Sequence, residues 1–123
     1  MAHPHVPPFV RVLRQLAAVS LLAACATSPD SKTSANTTVD VFTVVDAFSP
    51  AFVTVSAGDT VRWTFSGGSD GMGHNVRFAA GVGAPPDINI LKTGTATRVF
   101  PNRGNYNYFC DVHPGMNGSV TVQ

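Results

Sequence analysis

The chain has 123 residues, a length that allows one ordinary domain and is too short for two separate hydrophobic cores. Hydrophobic residues make up 44% of the sequence and charged residues only 12%, a composition that argues against a disordered chain. The formal net charge at pH 7 is +1, and no basic cluster indicates a surface for nucleic acid.

The first 24 residues have the pattern of a bacterial export signal. Arg11 and Arg14 precede an apolar stretch, residues 16–22, that is too short to span a bilayer. The stretch runs into Leu-Ala-Ala-Cys, which is similar to the bacterial lipobox, whose cysteine becomes the lipid-modified N-terminus of the mature protein. We therefore predict a lipoprotein signal peptide over residues 1–24 and lipidation of Cys25. An ordinary signal peptide cut near Ala-x-Ala is the alternative.

The segment after the predicted signal is small, polar and without hydrophobic periodicity, so residues 25–38 are expected to form a flexible linker. From residue 39 onward, short runs of β-branched and aromatic residues alternate with turn-forming clusters, and no long amphipathic helix is evident. Val61, Trp63 and Phe65 alternate with polar residues and should face a core. The expected strands are 39–44, 52–55, 61–66, 74–79, 95–100, 106–110 and 119–122. Residues 39–123 are thus predicted to form an all-β sandwich.

A thiol, an imidazole and a thioether lie close together near the C-terminus, at Cys110, His113 and Met116. Neighbouring members of this set are three residues apart, and Pro114–Gly115 can form a chain reversal that points all three side chains at one spot. A second imidazole, His74, opens a predicted strand. Two imidazoles, a thiolate and a weakly bound thioether are the ligands of electron-transfer copper sites. We therefore predict that these four residues bind one copper ion.

Several motifs of this region resemble the small blue copper proteins, or cupredoxins, and most closely the plastocyanin, halocyanin and amicyanin group. They are Cys110-x-x-His113-x-x-Met116, Tyr106-x-Tyr108-Phe109, His74-Asn75-Val76 and the run from Gly118 to Val122. The short gap between His113 and Met116 is similar to that of amicyanin. The resemblance covers residues 39–123. It implies a cupredoxin-like Greek-key β-sandwich that holds one copper ion and cycles it between Cu(I) and Cu(II).

Two residues next to the expected ligands, Asn75 and Pro114, are expected to support the site. We expect the Asn75 amide to brace the ligand loop, and the resemblance implies that its backbone N–H points at the Cys110 sulfur. Pro114 has no N–H to donate and stiffens the loop beside His113. The resemblance also implies that the ring edge of His113 is exposed in an apolar patch and serves as the electron port. The residues expected to line that patch are Pro114, Met72 and Pro85–Pro86.

The predicted function is single-electron transfer by an exported, lipid-anchored blue copper protein on the periplasmic or cell-surface side, and not enzymatic catalysis. Its expected partners are redox proteins, such as a c-type cytochrome, a copper oxidase or a dehydrogenase, and we expect a monomer. An oxidase or reductase would need further metal ligands, but beyond the signal peptide the histidines are only His74 and His113. Nucleophilic catalysis at Cys110 explains the imidazoles less well than copper binding does. The main alternative is a copper-binding or copper-delivery lipoprotein without an electron-transfer role.

Overall fold

The computed structural model describes residues 35–123, so the predicted signal peptide, Cys25 and most of the predicted linker lie outside the described residues. The described part forms nine β-strands. They are β1 (Thr38–Val44), β2 (Ala47–Ser49), β3 (Phe52–Val55), β4 (Thr60–Phe65), β5 (His74–Phe78), β6 (Ile88–Leu91), β7 (Gly94–Val99), β8 (Gly104–Phe109) and β9 (Asn117–Val122). Over the same residues, no helix is long and apolar enough to cross a membrane.

The strands form two sheets that pack face to face. One sheet has the order β2-β1-β4-β7, and the other has the order β3-β9-β8-β5-β6. Most neighbouring strands are antiparallel, but β1 pairs in parallel with β4, and β3 pairs in parallel with β9. Neighbours within a sheet are mostly not consecutive in the chain, so the connections cross from one sheet to the other. The predicted all-β, Greek-key sandwich is confirmed.

The core between the sheets is built from alternating positions of the central strands. Val61, Trp63 and Phe65 of β4 are all buried, as their spacing predicts. The Trp63 ring packs edge-on against Tyr108 of β8, with ring centroids 5.5 Å apart. This aromatic packing holds the end of β8 in place, and Cys110 follows that end directly.

The short strands β2 and β6 are absent from the sequence-based prediction, whereas the seven predicted strands are present with ends shifted by at most two residues. β2 and β6 have only three and four residues, too few for a clear period-two pattern. β6 matters for the site because Leu91 lies opposite His74 in the antiparallel pairing with β5. Strand β6 therefore covers the edge of β5 beside the predicted ligand His74.

The strand directions give the sandwich two distinct ends. β4 runs toward Phe65, and β5 starts at His74, so residues 66–73 form a loop at one end. The β1–β2 turn, residues 45–46, lies at this end because β1 runs parallel to β4. The loop that follows β8 lies there too, because β8 is antiparallel to β5. We call this the ligand end, because all four predicted copper ligands come from it.

Candidate metal centre

Cys110, His74 and His113 come together at the ligand end, although His74 is 36 residues from Cys110 in the sequence. The Sγ atom of Cys110 lies 4.0 Å from Nδ1 of His74 and 3.8 Å from Nδ1 of His113. All three residues are buried, and their ligand atoms lie within 4.8 Å of one another. Metal bonds of about 2.0–2.3 Å at trigonal angles place a sulfur and a nitrogen about 3.8 Å apart. The spacing therefore fits one transition-metal ion.

Met116, the fourth predicted ligand, is buried at the end of the same loop. Two backbone hydrogen bonds close this loop. The N–H of Cys110 donates to the carbonyl of Met116 at 3.0 Å, and the N–H of Met116 donates to the carbonyl of His113 at 3.2 Å. Gly115 has φ of 87°, a conformation that favours glycine, and Pro114 beside it is exposed. The chain reversal expected at Pro114–Gly115 thus brings the two ends of the loop together.

Asn75 ties strand β5 to the ligand loop. Its side-chain oxygen accepts the backbone N–H of Asp111 at 2.8 Å, and its amide donates to the Asp111 carboxylate at 2.9 Å. Arg77 donates to the same carboxylate. The Arg77 guanidinium, followed by the Asn75 amide, holds the pKa of Asp111 below its usual range. The sequence predicted that the Asn75 side chain supports the ligand loop. It did not predict Asp111 as the bonding partner, because only the position directly after Cys110 distinguishes that residue.

The surroundings of Cys110 favour its thiolate. Burial alone would raise the pKa of the thiol, but the backbone N–H of Asn75 and the His113 imidazole outweigh burial, and the pKa is lowered. Burial, followed by the neighbouring His113 imidazole, lowers the pKa of His74, so that its ring is neutral near pH 7. A thiolate and a neutral imidazole are the forms that bind a metal ion.

The ring of His113 does not have the environment that we expected. The residue is only 7% exposed, and a Cβ atom added to Gly68 would lie 2.6 Å from both Cε1 and Nε2 of the ring. Its Nε2 atom lies 3.3 Å from Oδ1 of Asp70 and 3.4 Å from Oδ1 of Asp46. The expected exposure of this ring edge in an apolar patch is therefore wrong. Loop backbone and two carboxylates cover it instead.

The residues expected to line that patch do not form one surface. Met72 is half exposed in the loop before His74, at the ligand end. Pro86 lies elsewhere, because its carbonyl accepts a hydrogen bond from Arg98, which pairs with Val61 near the start of β4. The chain leaves β5 at the end of the sandwich opposite the ligands, and Pro85–Pro86 follow there. Their expected place in the patch is therefore wrong.

Comparisons with known proteins agree with this fold and site. Residues 35–123 match the family described as copper binding proteins, plastocyanin/azurin family. Amicyanin-alpha from Methylorubrum extorquens is 31% identical over 118 residues, which are 94% of this chain and 96% of that protein. Chloroplastic plastocyanin from Tetradesmus obliquus is 40% identical over 87 residues, which are 62% of this chain and 58% of that protein. The structure of an oxidised amicyanin mutant matches 69% of this chain and 81% of its own, with a TM-score of 0.60 and 30% identity.

The fold and the site together are those of a small blue copper protein, the class called cupredoxins. Within this class, the match over residues 35–123 shows that the chain belongs to the plastocyanin/azurin family of copper-binding proteins. Copper is its cofactor, and the amicyanin and plastocyanin relatives are electron carriers and not enzymes. A copper-containing nitrite reductase from Thermus scotoductus also matches, with a TM-score of 0.59 and 26% identity, but only over 22% of that larger chain.

Proposed function

We propose that the protein is a type 1 copper electron carrier in which His74, Cys110, His113 and Met116 bind the ion. The observation that carries this proposal is one buried thiol whose sulfur lies 4.0 and 3.8 Å from two imidazole Nδ1 atoms. Copper, when bound, supplies a centre that takes up and releases one electron at a time. His74 lies on a strand, Cys110 directly follows one, and the closed loop carries the other two ligands. Two strand ends and one closed loop thus position the four proposed ligands.

The residues around the ligands hold the site in one arrangement while its charge changes. The paired hydrogen bonds between Asn75 and Asp111 fix the backbone next to Cys110. The backbone N–H of Asn75 stabilises negative charge on the sulfur and thereby tunes the reduction potential. Pro114 has no N–H, so it adds no further donor near the sulfur. Because these groups are already oriented, electron exchange requires little rearrangement of the protein.

Copper delivery without electron transfer is the second candidate, because a buried thiolate with a nearby thioether is also a soft site suited to Cu(I). The visible absorption spectrum of the copper-loaded protein distinguishes the two functions. An intense blue colour that bleaches with a reductant and returns with an oxidant supports electron transfer. A colourless protein that holds copper only as Cu(I) supports delivery.

Replacing Met116 with glutamine is expected to leave copper bound and to lower the reduction potential. An amide oxygen is a harder donor than a thioether, so it stabilises the oxidised ion more than the reduced ion. Cyclic voltammetry of the copper-loaded protein measures the change. Met72→Gln is the matched control, because it makes the same change at a half-exposed methionine of the ligand end and should leave the potential unchanged. A raised potential in Met116→Gln would count against Met116 as the axial ligand.

We also propose that the protein is exported and held at a membrane by a lipid on Cys25. The support is the sequence Leu-Ala-Ala-Cys at the end of a short apolar stretch that is preceded by two arginines. The polar segment over residues 25–38 would then serve as a tether with a reach on the order of 20 Å. Such a tether allows a small domain to turn and meet partners on the periplasmic or cell-surface side.

The unaltered protein is expected in the membrane fraction of a bacterium that processes lipoproteins, and Cys25→Ala is expected to prevent lipidation and leave an unprocessed or differently processed chain. More than one acyl chain gives lasting attachment, and alanine cannot accept the lipid. Membrane fractionation and mass spectrometry of the N-terminus measure the outcome. Cys110→Ala is the matched control and should stay with the membranes. An unmodified mature N-terminus at another residue of the unaltered protein would overturn the lipid proposal.

The partners that we propose are redox proteins that exchange single electrons with this carrier. A c-type cytochrome, a copper oxidase and a dehydrogenase are the classes with the required chemistry, and one would supply the electron while another accepts it. The carrier acts as a monomer in this proposal.

A further inference from the structure

An uncharged loop projects from the end of the sandwich opposite the copper ligands, which we call the far end. This apolar loop, residues 79–86, connects β5 to β6, and its sequence, Ala-Ala-Gly-Val-Gly-Ala-Pro-Pro, contains no polar side chain. Residues 79–83 are all exposed, and Val82 is fully exposed. A run of exposed apolar residues is a liability in water unless it serves a function.

Backbone hydrogen bonds hold the apolar loop in one arrangement. At its start, the N–H of Ala79 donates to the carbonyl of Asn107 on the neighbouring strand β8, at 2.9 Å. At its tip, the N–H of Ala84 donates to the carbonyl of Gly81 at 3.3 Å. This bond closes a turn around Val82, so the exposed valine side chain is presented by a formed turn.

Arg103 lies beside the apolar loop, in the turn between β7 and β8. The loop and the turn are in contact, because a Cβ atom added to Gly83 would lie 3.4 Å from Nδ2 of Asn102. A cavity of about 250 Å³ lies here, lined by residues of the loop together with Arg103, Asn105 and Asn107. Guanidinium and amide groups are donors that suit the oxygens of a phosphate group.

The exposed Arg103 belongs to none of the ion pairs in the part of the chain that the structure describes. Those pairs join Arg62 to Asp40, and Arg77 to Asp87 and Asp111. Arg98 also lies at the far end, but its guanidinium donates to the backbone carbonyls of Pro86, Thr97 and Asp87. Among the arginines of residues 35–123, Arg103 is therefore the one available to an external anion.

Thr37, where the upstream segment joins the sandwich, also lies at the far end. Its backbone N–H donates to the buried carboxylate of Asp59 at 2.8 Å. The backbone carbonyl of Asp59 in turn accepts the N–H of Phe100, at the start of the turn that carries Arg103. A lipid on Cys25 would thus hold the domain from this end, through a tether with a reach on the order of 20 Å.

We propose that the far end is a membrane-docking surface, in which the apolar loop enters the headgroup region of an anionic bilayer and Arg103 binds a lipid phosphate. This inference rests on the proposed lipid anchor, which keeps a bilayer within reach. Burial of Val82 and the attraction of one arginine are each modest contributions. The tether makes them sufficient, because it raises the effective concentration of the bilayer to the millimolar range.

A bilayer fits the far end better than a protein partner, because the tether would hold this end beside the bilayer at all times. Docking would also give the domain a fixed orientation. The ligand end would then point away from the membrane, where redox proteins in the surrounding medium can reach it.

The test uses the copper-loaded protein, purified with its lipid and placed in nanodiscs of phosphatidylcholine alone or of phosphatidylcholine and phosphatidylglycerol in equal parts. Hydrogen–deuterium exchange with mass spectrometry follows the amides of residues 79–84 and 102–105. In the anionic discs these amides should exchange about fivefold more slowly than in the neutral discs. The amides of residues 66–73, at the ligand end, should exchange equally in both. Equal slowing at both ends, or none at the far end, would overturn the docking proposal.

The double variant Val82→Ser/Arg103→Gln removes the apolar tip and the cation, and it should abolish the slower exchange in anionic discs. Val44→Ser/Lys92→Gln is the matched control, because it makes the same two changes at exposed residues near the ligand end. It should keep the slower exchange, and circular dichroism checks that both variants are folded. Equal loss in the two variants would contradict the assignment of docking to the far end.

Mass spectrometry of the N-terminus separates failure of docking from failure of the anchor. A lipid on Cys25 without slower exchange at the far end would overturn docking and leave the anchor in place. Protein that carries no lipid would be mixed with anionic vesicles of the same composition. Slower exchange of residues 79–84 there would support docking and overturn the anchor, whereas unchanged exchange would overturn both. Slowing that grows with protein density in neutral discs would assign the loop to contact between copies and overturn membrane docking.

Discussion

Replacing Cys110 with serine is expected to abolish the intense visible absorption of the copper-loaded protein. The absorption requires charge transfer from a thiolate, and a hydroxyl is neither as soft nor as easily ionised. Copper affinity should fall by more than the roughly 10- to 100-fold typical of losing a residue that only supports a ligand. Visible spectroscopy and competition with a copper chelator measure the two effects, while circular dichroism should show that the β-sandwich remains.

The matched control for this variant is Cys25→Ser, made in protein expressed without export. It is the same chemical change at the other cysteine of the chain. It should leave the blue absorption intact, because residue 25 lies far outside the sequence of the site. An intense blue colour that survives in Cys110→Ser would remove the basis for the proposed ligand set.

Gly118→Ala is expected to cause the largest loss of stability from a single added methyl group. A Cβ atom on Gly118 would lie 2.4 Å from Cζ of Tyr108 and 2.6 Å from the backbone carbonyl of Ala51. Neither neighbour can move easily, because Tyr108 packs against Trp63 and the Ala51 carbonyl accepts the backbone N–H of Ser119. Overpacking of this kind lowers the free energy of unfolding by roughly 2–3 kcal/mol. Urea unfolding of metal-free protein, followed by the fluorescence of the single tryptophan, measures this loss.

Gly81→Ala is the matched control for Gly118→Ala, because it also replaces a glycine with alanine but adds the methyl group where there is space. Gly81 has no positive φ, and a Cβ atom there would have only the Ala79 carbonyl as a neighbour, at 4.0 Å. Its free energy of unfolding should therefore change little or increase slightly, because alanine restricts the unfolded chain. Equal stability of Gly118→Ala and Gly81→Ala would show that Tyr108 does not pack against β9 as described.

The proximity of His74, Cys110 and His113 could be predicted because these residue types together are typical of a metal site. Cys110 and His113 share one short loop, and thiolate with imidazole at that spacing has few explanations other than a metal ion. His74 could be joined to them because it opens a strand after a glycine-rich loop, and β-sandwich connections bring such strand ends together. The Trp63 face of β4 was predictable for a simpler reason, because period-two alternation fixes which residues point inward.

The carboxylates beside His113 could not be predicted from the same information. Asp46 and Asp70 lie in different turns, and each is ordinary as a turn residue. Their approach to Nε2 depends on the parallel pairing of β1 with β4, which places the two turns side by side. It also depends on Gly68, whose missing side chain lets the loop reach the ring. Periodicity and spacing do not specify either condition. The resemblance alone therefore gave an apolar surface where the chain has a charged one.

The described chain enters the sandwich at one end, and the copper ligands lie at the other. Thr37 and Thr38 lie beside Asp59 and Thr60, at the start of β4. The loop that covers His113 follows the other end of this strand, which at six residues is about 20 Å long. Thr37 and Thr38 therefore lie at the end of the sandwich opposite the copper ligands. A partner that binds at the ligand end would thus not compete for surface with the segment through which the chain enters the domain.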